Sequence, residues 1–219
     1  MSAVATEPLY PPTGEPASVN ARRNRLGLWM CIASDITGSV ALWISYLYLW
    51  SLNVNNGWAP PKNAFAPAWP FWAIFGGALV STVLIWAAYK RLAAGHRGAF
   101  LGLATLGSLL ILATFVADIV QLSTFPFGPG DGAYASVTFW MVLVVAFHLS
   151  LLSFLTLGIT LRTRAGRITP ENPSHARFVA MYMTWVTVSI LIGAILTTAL
   201  TTSTGTGGPA FGTFTSQGS

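Results

Sequence analysis

The sequence predicts an all-α fold, an integral membrane bundle of five transmembrane helices with the N-terminus in the cytoplasm and the C-terminus outside. Three observations support this prediction. Hydrophobic residues make up 53% of the 219 positions and charged residues only 8%, whereas a soluble domain carries about 25% charged residues. Five apolar stretches are each long enough to cross about 30 Å of hydrocarbon as a helix. The basic residues are concentrated in alternate loops, as the topology of a membrane protein requires.

The five stretches are nearly free of charge and apolar on all sides, so they lack the alternation typical of barrel strands. Because a bilayer accommodates only helices or closed barrels, each stretch is interpreted as a helix. The expected helices cover, in order, residues 26–52, 69–89, 99–122, 134–161 and 178–201. Residues 1–20, which are polar and rich in proline, are expected to be a disordered tail. Residues 204–219 are expected to be a flexible tail beyond a transmembrane domain at 21–203.

The distribution of charge predicts the orientation. Only Lys62 falls on one side of the predicted helices, and the other ten basic residues fall on the opposite side: Arg22, Arg23, Arg25, Lys90, Arg91, Arg97, Arg162, Arg164, Arg167 and Arg177. The positive-inside rule makes that side cytoplasmic. The net charge of +5 is therefore explained by topology and needs no nucleic-acid partner.

The outer loops contain turn-forming residues such as Asn55-Asn56-Gly57. Five aromatic residues near the predicted interfaces are expected to form an aromatic belt: Trp58, Trp69, Trp72, Trp140 and Tyr134. Glycines within the predicted helices are interpreted as points of close helix approach: Gly76, Gly77, Gly102 and Gly107.

Three ionisable side chains are predicted within the membrane, where such groups are costly and become candidates for function. Asp35 lies about 15 Å beyond Arg25 at about 1.5 Å per residue, and its carboxyl either joins helices through hydrogen bonds or belongs to a proton pathway. Asp118, with Gln121 one turn later, is expected to reach water or a neighbouring polar group near the outer end of its helix. His148 is expected to be a hydrogen-bonded structural imidazole that one carboxylate could pair with, and the sequence does not indicate which.

Few residues in the sequence are suited to holding a metal or a haem. The one cysteine, Cys31, lies in an apolar run and is interpreted as a small packing residue. A bis-histidine haem would need a second histidine in the membrane, but His96 and His175 fall in predicted cytoplasmic loops. No catalytic, cofactor-binding or metal-ligating residue is therefore assigned.

Short motifs in a fixed order provide a second line of interpretation. The first predicted helix begins with Arg25-Leu26-Gly27-Leu28-Trp29-Met30 and continues with Ala33-Ser34-Asp35. It is followed along the chain by Trp58-Ala59-Pro60-Pro61, Asp118-Ile119-Val120-Gln121, Phe147-His148, the basic segment 164–172 and His175. Over about residues 22–200, these motifs resemble subunit III of the haem–copper oxidases, the cytochrome c and quinol oxidases, in its five-helix bacterial form.

Two positions depart from the pattern of that family. The family has a second histidine three residues after the first, where this chain has Leu151. The family's last helix carries a histidine and an acid in a region that here is Tyr182-Met183-Thr184-Trp185-Val186. The resemblance is therefore to a divergent member.

The resemblance implies an accessory, non-catalytic subunit in a prokaryotic plasma membrane. It implies that haem and copper belong to the partner subunits I and II, which reduce oxygen and pump protons. This chain would bind membrane phospholipid and support assembly and sustained turnover, with Asp35 as its main functional residue. Two alternatives stay open. One is a similar accessory protein of a nitric oxide reductase, and the other is a small transporter or channel subunit with Asp35 and His148 along its path.

Overall fold

A computed structural model of the chain describes residues 17–53 and 57–201. Five long helices are present in these ranges, and no β-strand occurs there: α1 Ala17–Leu52, α2 Ala68–Ala93, α3 Arg97–Ser123, α4 Ala133–Arg164 and α5 Ser174–Ala199. Each of the five is long and apolar enough to cross a membrane. The prediction of an all-α, multi-pass membrane protein with five transmembrane helices is confirmed. The predicted C-terminal tail at 204–219 and the turn residues Asn55 and Asn56 lie outside the described residues.

The ends of the helices differ most from the predicted bounds at the start of α1, and α2 ends four residues later than predicted, at Ala93. Helix α1 begins at Ala17, so it includes the last part of the predicted N-terminal tail, whereas residues 1–16 lie outside the described residues. Helix α5 begins at Ser174 rather than at residue 178. In both cases the first turns are polar. A hydropathy criterion finds the apolar part of a helix and misses polar turns, although arginine has good helix propensity.

Helix α1 is the most peripheral helix of the bundle. In its most apolar 18-residue stretch only 11% of the residues are buried, against 33–50% in the other four helices. Helix α2 packs on α3 and α5, and α3 packs on α4, while α1 lies against α4 and α5. The three-helix contact of α1, α4 and α5 contains the site described below.

Two of the four predicted small-residue contacts hold α2 and α3 close together. A Cβ atom at Gly77 would overlap the side-chain hydroxyl of Thr114, and one at Gly107 would come within 3.0 Å of an α2 side chain. Glycine is therefore required at position 77, whereas at position 107 a Cβ atom would need a small shift of the flexible end of Ile85. A Cβ atom at Gly76 or Gly102 would meet open space, so the interpretation of these two as close contacts is wrong.

The two basic loops lie at the same end of the bundle. The Arg97 guanidinium, at the start of α3, donates to the carbonyl oxygens of Thr163 and Arg164 at 2.8 and 3.0 Å, which ties α3 to the end of α4. Arginines from the N-terminal parts of α1 and α5 line one cleft of about 420 Å³ at this end: Arg22, Arg25 and Arg177. The arrangement agrees with the predicted grouping of charge, and the assignment of this end to the cytoplasm stays a prediction.

The opposite end is held together by aromatic side chains. Trp58 is only 2% exposed, and its ring lies edge-on to Tyr46 and Tyr134 at centroid distances of 5.2 and 5.7 Å. Its indole N–H donates to the Thr201 carbonyl oxygen at 2.9 Å. The expectation that Trp58 and Tyr134 belong to an exposed aromatic belt is therefore wrong, because both pack between the loop and the helix ends. The other three predicted belt residues are exposed: Trp69, Trp72 and Trp140.

Candidate functional site

Three side chains from three helices meet in the interior of the α1, α4 and α5 contact. His148 Nε2 of α4 lies 2.8 Å from Asp35 Oδ1 of α1. The Trp185 indole N–H of α5 donates to Asp35 Oδ2 at 2.7 Å. We refer to Asp35, His148 and Trp185 as the Asp35 cluster. The side chains of His148 and Asp35 are 9% and 18% exposed, and both oxygens of this partly buried carboxyl have a specific partner.

Neighbouring residues fix the orientation of the imidazole and the indole. His148 Nδ1 lies 2.7 Å from the Val144 carbonyl oxygen, one turn earlier on α4. Trp43 of α1 packs against the Trp185 ring with centroids 6.3 Å apart. The cluster is thus held by each of its three helices.

The contacts of His148 determine how many protons the cluster holds. A carbonyl oxygen only accepts hydrogen bonds, so the contact with Val144 places an N–H on Nδ1. Nε2 then either accepts from a protonated Asp35 or, as part of an imidazolium, donates to the carboxylate. In both forms one proton lies between Nε2 and Oδ1, and the Asp35–His148 pair carries no net charge. This neutrality suits the interior of a membrane bundle, where a net charge is costly.

The arrangement has one structural and one chemical capacity. Structurally, it links α1 to α4 and α5 through polar contacts, which matters because α1 has little other burial. Chemically, the shared proton can move between carboxyl and imidazole over a hydrogen bond of ordinary length. Tyr182, one turn before Trp185 on α5, also interacts with Asp35, so a third ionisable group adjoins the pair.

The structure brings together two of the three predicted site residues. His148 has the expected hydrogen-bonded imidazole, and the partner that the sequence left open is Asp35. Asp118 does not join them. Trp185 was not predicted as a site residue, and it lies where the chain departs from the family pattern. A signal for its contact was nevertheless present, because an indole N–H within a membrane helix needs an acceptor, and Asp35 is one of few available.

The environment of Asp118 differs from the expected one. The residue is 1% exposed, and its Oδ2 atom has no hydrogen-bond partner among the described residues. The side-chain amide of Gln121, one turn later, likewise lacks a partner in the described part of the chain. Asp118 therefore does not reach the outer surface, as its position near the outer end of the helix suggested, because its face of α3 is turned into the bundle core.

An apolar groove of about 530 Å³ lies beside the Asp35 cluster, between α1, α4 and α5. Tyr182 belongs to the wall of this groove and also interacts with Asp35, so the groove and the cluster adjoin. Arg162 and His175 are the ionisable groups of the wall besides Cys31 and Tyr182. Cys31 is exposed on the groove, so its interpretation as a packing residue is wrong.

Within residues 17–53 and 57–201, no three side chains of His, Cys, Asp or Glu come together in a way that could hold a metal ion. In comparisons with known proteins, no family model and no curated protein matches this chain.

Proposed function

We propose that this chain is an accessory subunit of a membrane oxidoreductase complex of the haem–copper terminal oxidase type, in the role of subunit III. The observation that carries the proposal is the Asp35 cluster. Asp35 and His148 belong to two motifs of the resemblance, and they stand 113 positions apart in sequence yet share a hydrogen bond. Trp185 comes from the last helix, in the region where the chain departs from the family pattern. Two separated motifs of the resemblance thus converge on one site.

The proposed role of the cluster is positional. It holds α1, the helix with the least burial, against α4 and α5. In this way it maintains the face that the chain presents to its partner subunits I and II, which would hold haem and copper. The chain would thereby support assembly and sustained oxygen reduction in a prokaryotic plasma membrane.

We further propose that the groove holds a membrane phospholipid. Its walls are largely apolar and suit acyl chains, while the Arg162 guanidinium suits a phosphate group. The test uses native mass spectrometry to compare the lipid bound to the purified wild-type chain with the lipid bound to an Arg162→Gln variant. Arg162→Gln is expected to lose copurified anionic phospholipid, and Arg91→Gln, an exposed arginine outside this groove, to retain it. Equal lipid retention by both variants would count against this assignment.

The first test of the whole proposal is purification of the chain from its native membrane in mild detergent. The copurified material is analysed by optical spectroscopy and mass spectrometry. Haem absorbance together with a large many-helix subunit and a copper-binding subunit is the expected result. The haem type and the substrate that is reduced, oxygen or nitric oxide, distinguish the oxidase from the reductase alternative. A chain that purifies alone and colourless, under conditions that keep respiratory complexes intact, overturns the proposal.

A second test uses Asp35→Ala in the assembled complex. This variant is expected to retain haem in the partner subunits but to assemble poorly or to lose activity over fewer turnovers. Ser34→Ala, at the exposed neighbouring position, is the matched control and is expected to behave like the wild type. Normal assembly and normal endurance of Asp35→Ala would contradict a role for this residue.

The transporter alternative is favoured by a different observation, the adjacency of the groove to the Asp35–His148 pair. It predicts solute or proton flux through liposomes that contain this chain alone. The subunit proposal predicts no flux above that of empty liposomes. Flux that Asp35→Ala abolishes would assign the chain to the transporter class.

A further inference from the structure

The core of the bundle contains a small cavity that the Asp35 cluster does not reach. Its volume is about 20 Å³, and residues from α2, α3, α4 and α5 line it. Of the side chains that line it in the described structure, only Asp118 and Thr197 are polar. Asp118 is 1% exposed, and its Oδ2 atom has no partner among the described residues.

The surroundings favour the neutral, protonated form of Asp118. No lysine, arginine or histidine from the described ranges lines the cavity. An ionised carboxylate there would be an unpaired charge among apolar side chains, which costs several kcal/mol even after relaxation. A neutral carboxyl has one O–H to donate and a carbonyl oxygen to accept. Buried polar groups of this kind are normally satisfied by protein atoms or by ordered water.

The cavity is large enough for one water molecule. A single water requires about 10–15 Å³ of such volume and two to four polar partners. The Thr197 hydroxyl donates its proton to the Gly193 carbonyl oxygen at 2.8 Å, so its oxygen remains free to accept. A water in the cavity would accept from the Asp118 O–H and donate to the Asp118 carbonyl oxygen and to Thr197 Oγ1.

We propose that this cavity is a binding site for one water molecule, held between a protonated Asp118 and the Thr197 hydroxyl. The site stores a proton and a water in the bundle core and requires no partner subunit, so it goes beyond the proposed function. A metal cation is a poor occupant, because hard cations take six or more oxygen ligands and this cavity presents two oxygen-bearing side chains.

The test is infrared spectroscopy of the full chain in lipid bilayers, in the region where a protonated carboxylic acid absorbs through its C=O stretch. The wild type is expected to show a band that Asp118→Asn removes. Asp35→Asn identifies any separate band of Asp35. If Asp118→Asn leaves all protonated-acid bands unchanged, Asp118 is ionised and the proposal fails.

The water is tested by partly filling the cavity. Gly193 lines it, and a Cβ atom there would lie 3.4 Å from the flexible end of Met141, so Gly193→Ala adds a methyl group with little strain. Loss of the water removes a hydrogen bond from the acid, and the Asp118 band is expected to move to higher frequency. Gly76→Ala, which meets open space, is the control and is expected to leave the band in place. An unchanged band in Gly193→Ala refutes the bound water, even where Asp118→Asn fails to fold.

Discussion

The hydrogen bonds of the Asp35 cluster predict opposite outcomes for two substitutions of similar size. In Asp35→Asn, the amide NH₂ can donate to His148 Nε2, and the amide oxygen can accept from the Trp185 N–H. Both contacts are then retained, because the Nδ1–H tautomer set by Val144 leaves Nε2 as an acceptor. In Asp35→Leu, neither contact forms, and His148 and Trp185 each keep an unpaired group.

The loss in the free energy of unfolding of Asp35→Leu follows from the two lost hydrogen bonds. Hydrogen bonds between side chains within membrane proteins contribute about 0.6 kcal/mol each on average and at most about 1.7 kcal/mol. Two of them correspond to about 1–3 kcal/mol. The greater apolarity of leucine does not cancel this loss, because residue 35 remains in the bilayer when the helices separate, so the transfer free energy largely drops out. Asp35→Asn is expected to stay within about 0.5 kcal/mol of the wild type.

The assay is the free energy of unfolding of the chain in bicelles, measured by steric trapping. Ile36→Ala, at an exposed position of the same helix, is the matched control and is expected to change little. An Asp35→Leu chain as stable as the wild type would show that the cluster does not hold α1. An Asp35→Asn chain as unstable as Asp35→Leu would show that an ion pair, and not the pair of hydrogen bonds, supplies the stability.

Two further predictions concern the rest of the bundle. Gly77→Ala is expected to lower the free energy of unfolding by about 1–3 kcal/mol through overpacking. Gly76→Ala, with open space around it, is the control and is expected to stay near the wild type. Equal effects of both substitutions would contradict the close α2–α3 approach. Trp58→Phe is expected to cost about 0.5–1.5 kcal/mol by losing the hydrogen bond to Thr201, measured as a lower thermal midpoint. Trp140→Phe, at an exposed position, is the control, and an equal loss there would assign the effect to aromatic size alone.

The fold was predictable because it depends on properties that single residues carry. An apolar run of sufficient length in a chain with few charges usually forms a transmembrane helix. The polar first turns of α1 and α5 were missed for the same reason, since they carry no hydropathy signal. The burial of Trp58 was missed because the sequence signal, an aromatic residue near a predicted interface, is the same for an exposed belt residue and for a residue packed between a loop and the helix ends.

The candidate site was predictable only in part, because pairing depends on how the helices are rotated and arranged. The sequence indicated that Asp35 and His148 each need a polar partner in the membrane. It did not indicate that α1 faces α4 at this depth, which makes them partners of each other. For Asp118 the position along the helix suggested access to water, but the rotation of α3 turns that side chain into the core. The depth of a residue in the membrane follows from its position along the helix. The direction in which its side chain points follows from how the helices pack.

The low burial of α1 explains why polar contacts matter most at this helix. Lipid tails are as apolar as leucine, so apolar surface alone gives a helix little preference for its neighbours over lipid. Helix α1 is bound at two depths by specific contacts, at mid-helix by the Asp35 cluster and toward its C-terminal end by Tyr46, which packs against Trp58. The groove opens on the part of α1 that carries Leu28 and Cys31, on the N-terminal side of Asp35. The Asp35 cluster is the nearer of the two contacts, so its hydrogen bonds limit how far that end of α1 can move from α4 and α5 and thereby set the width of the groove.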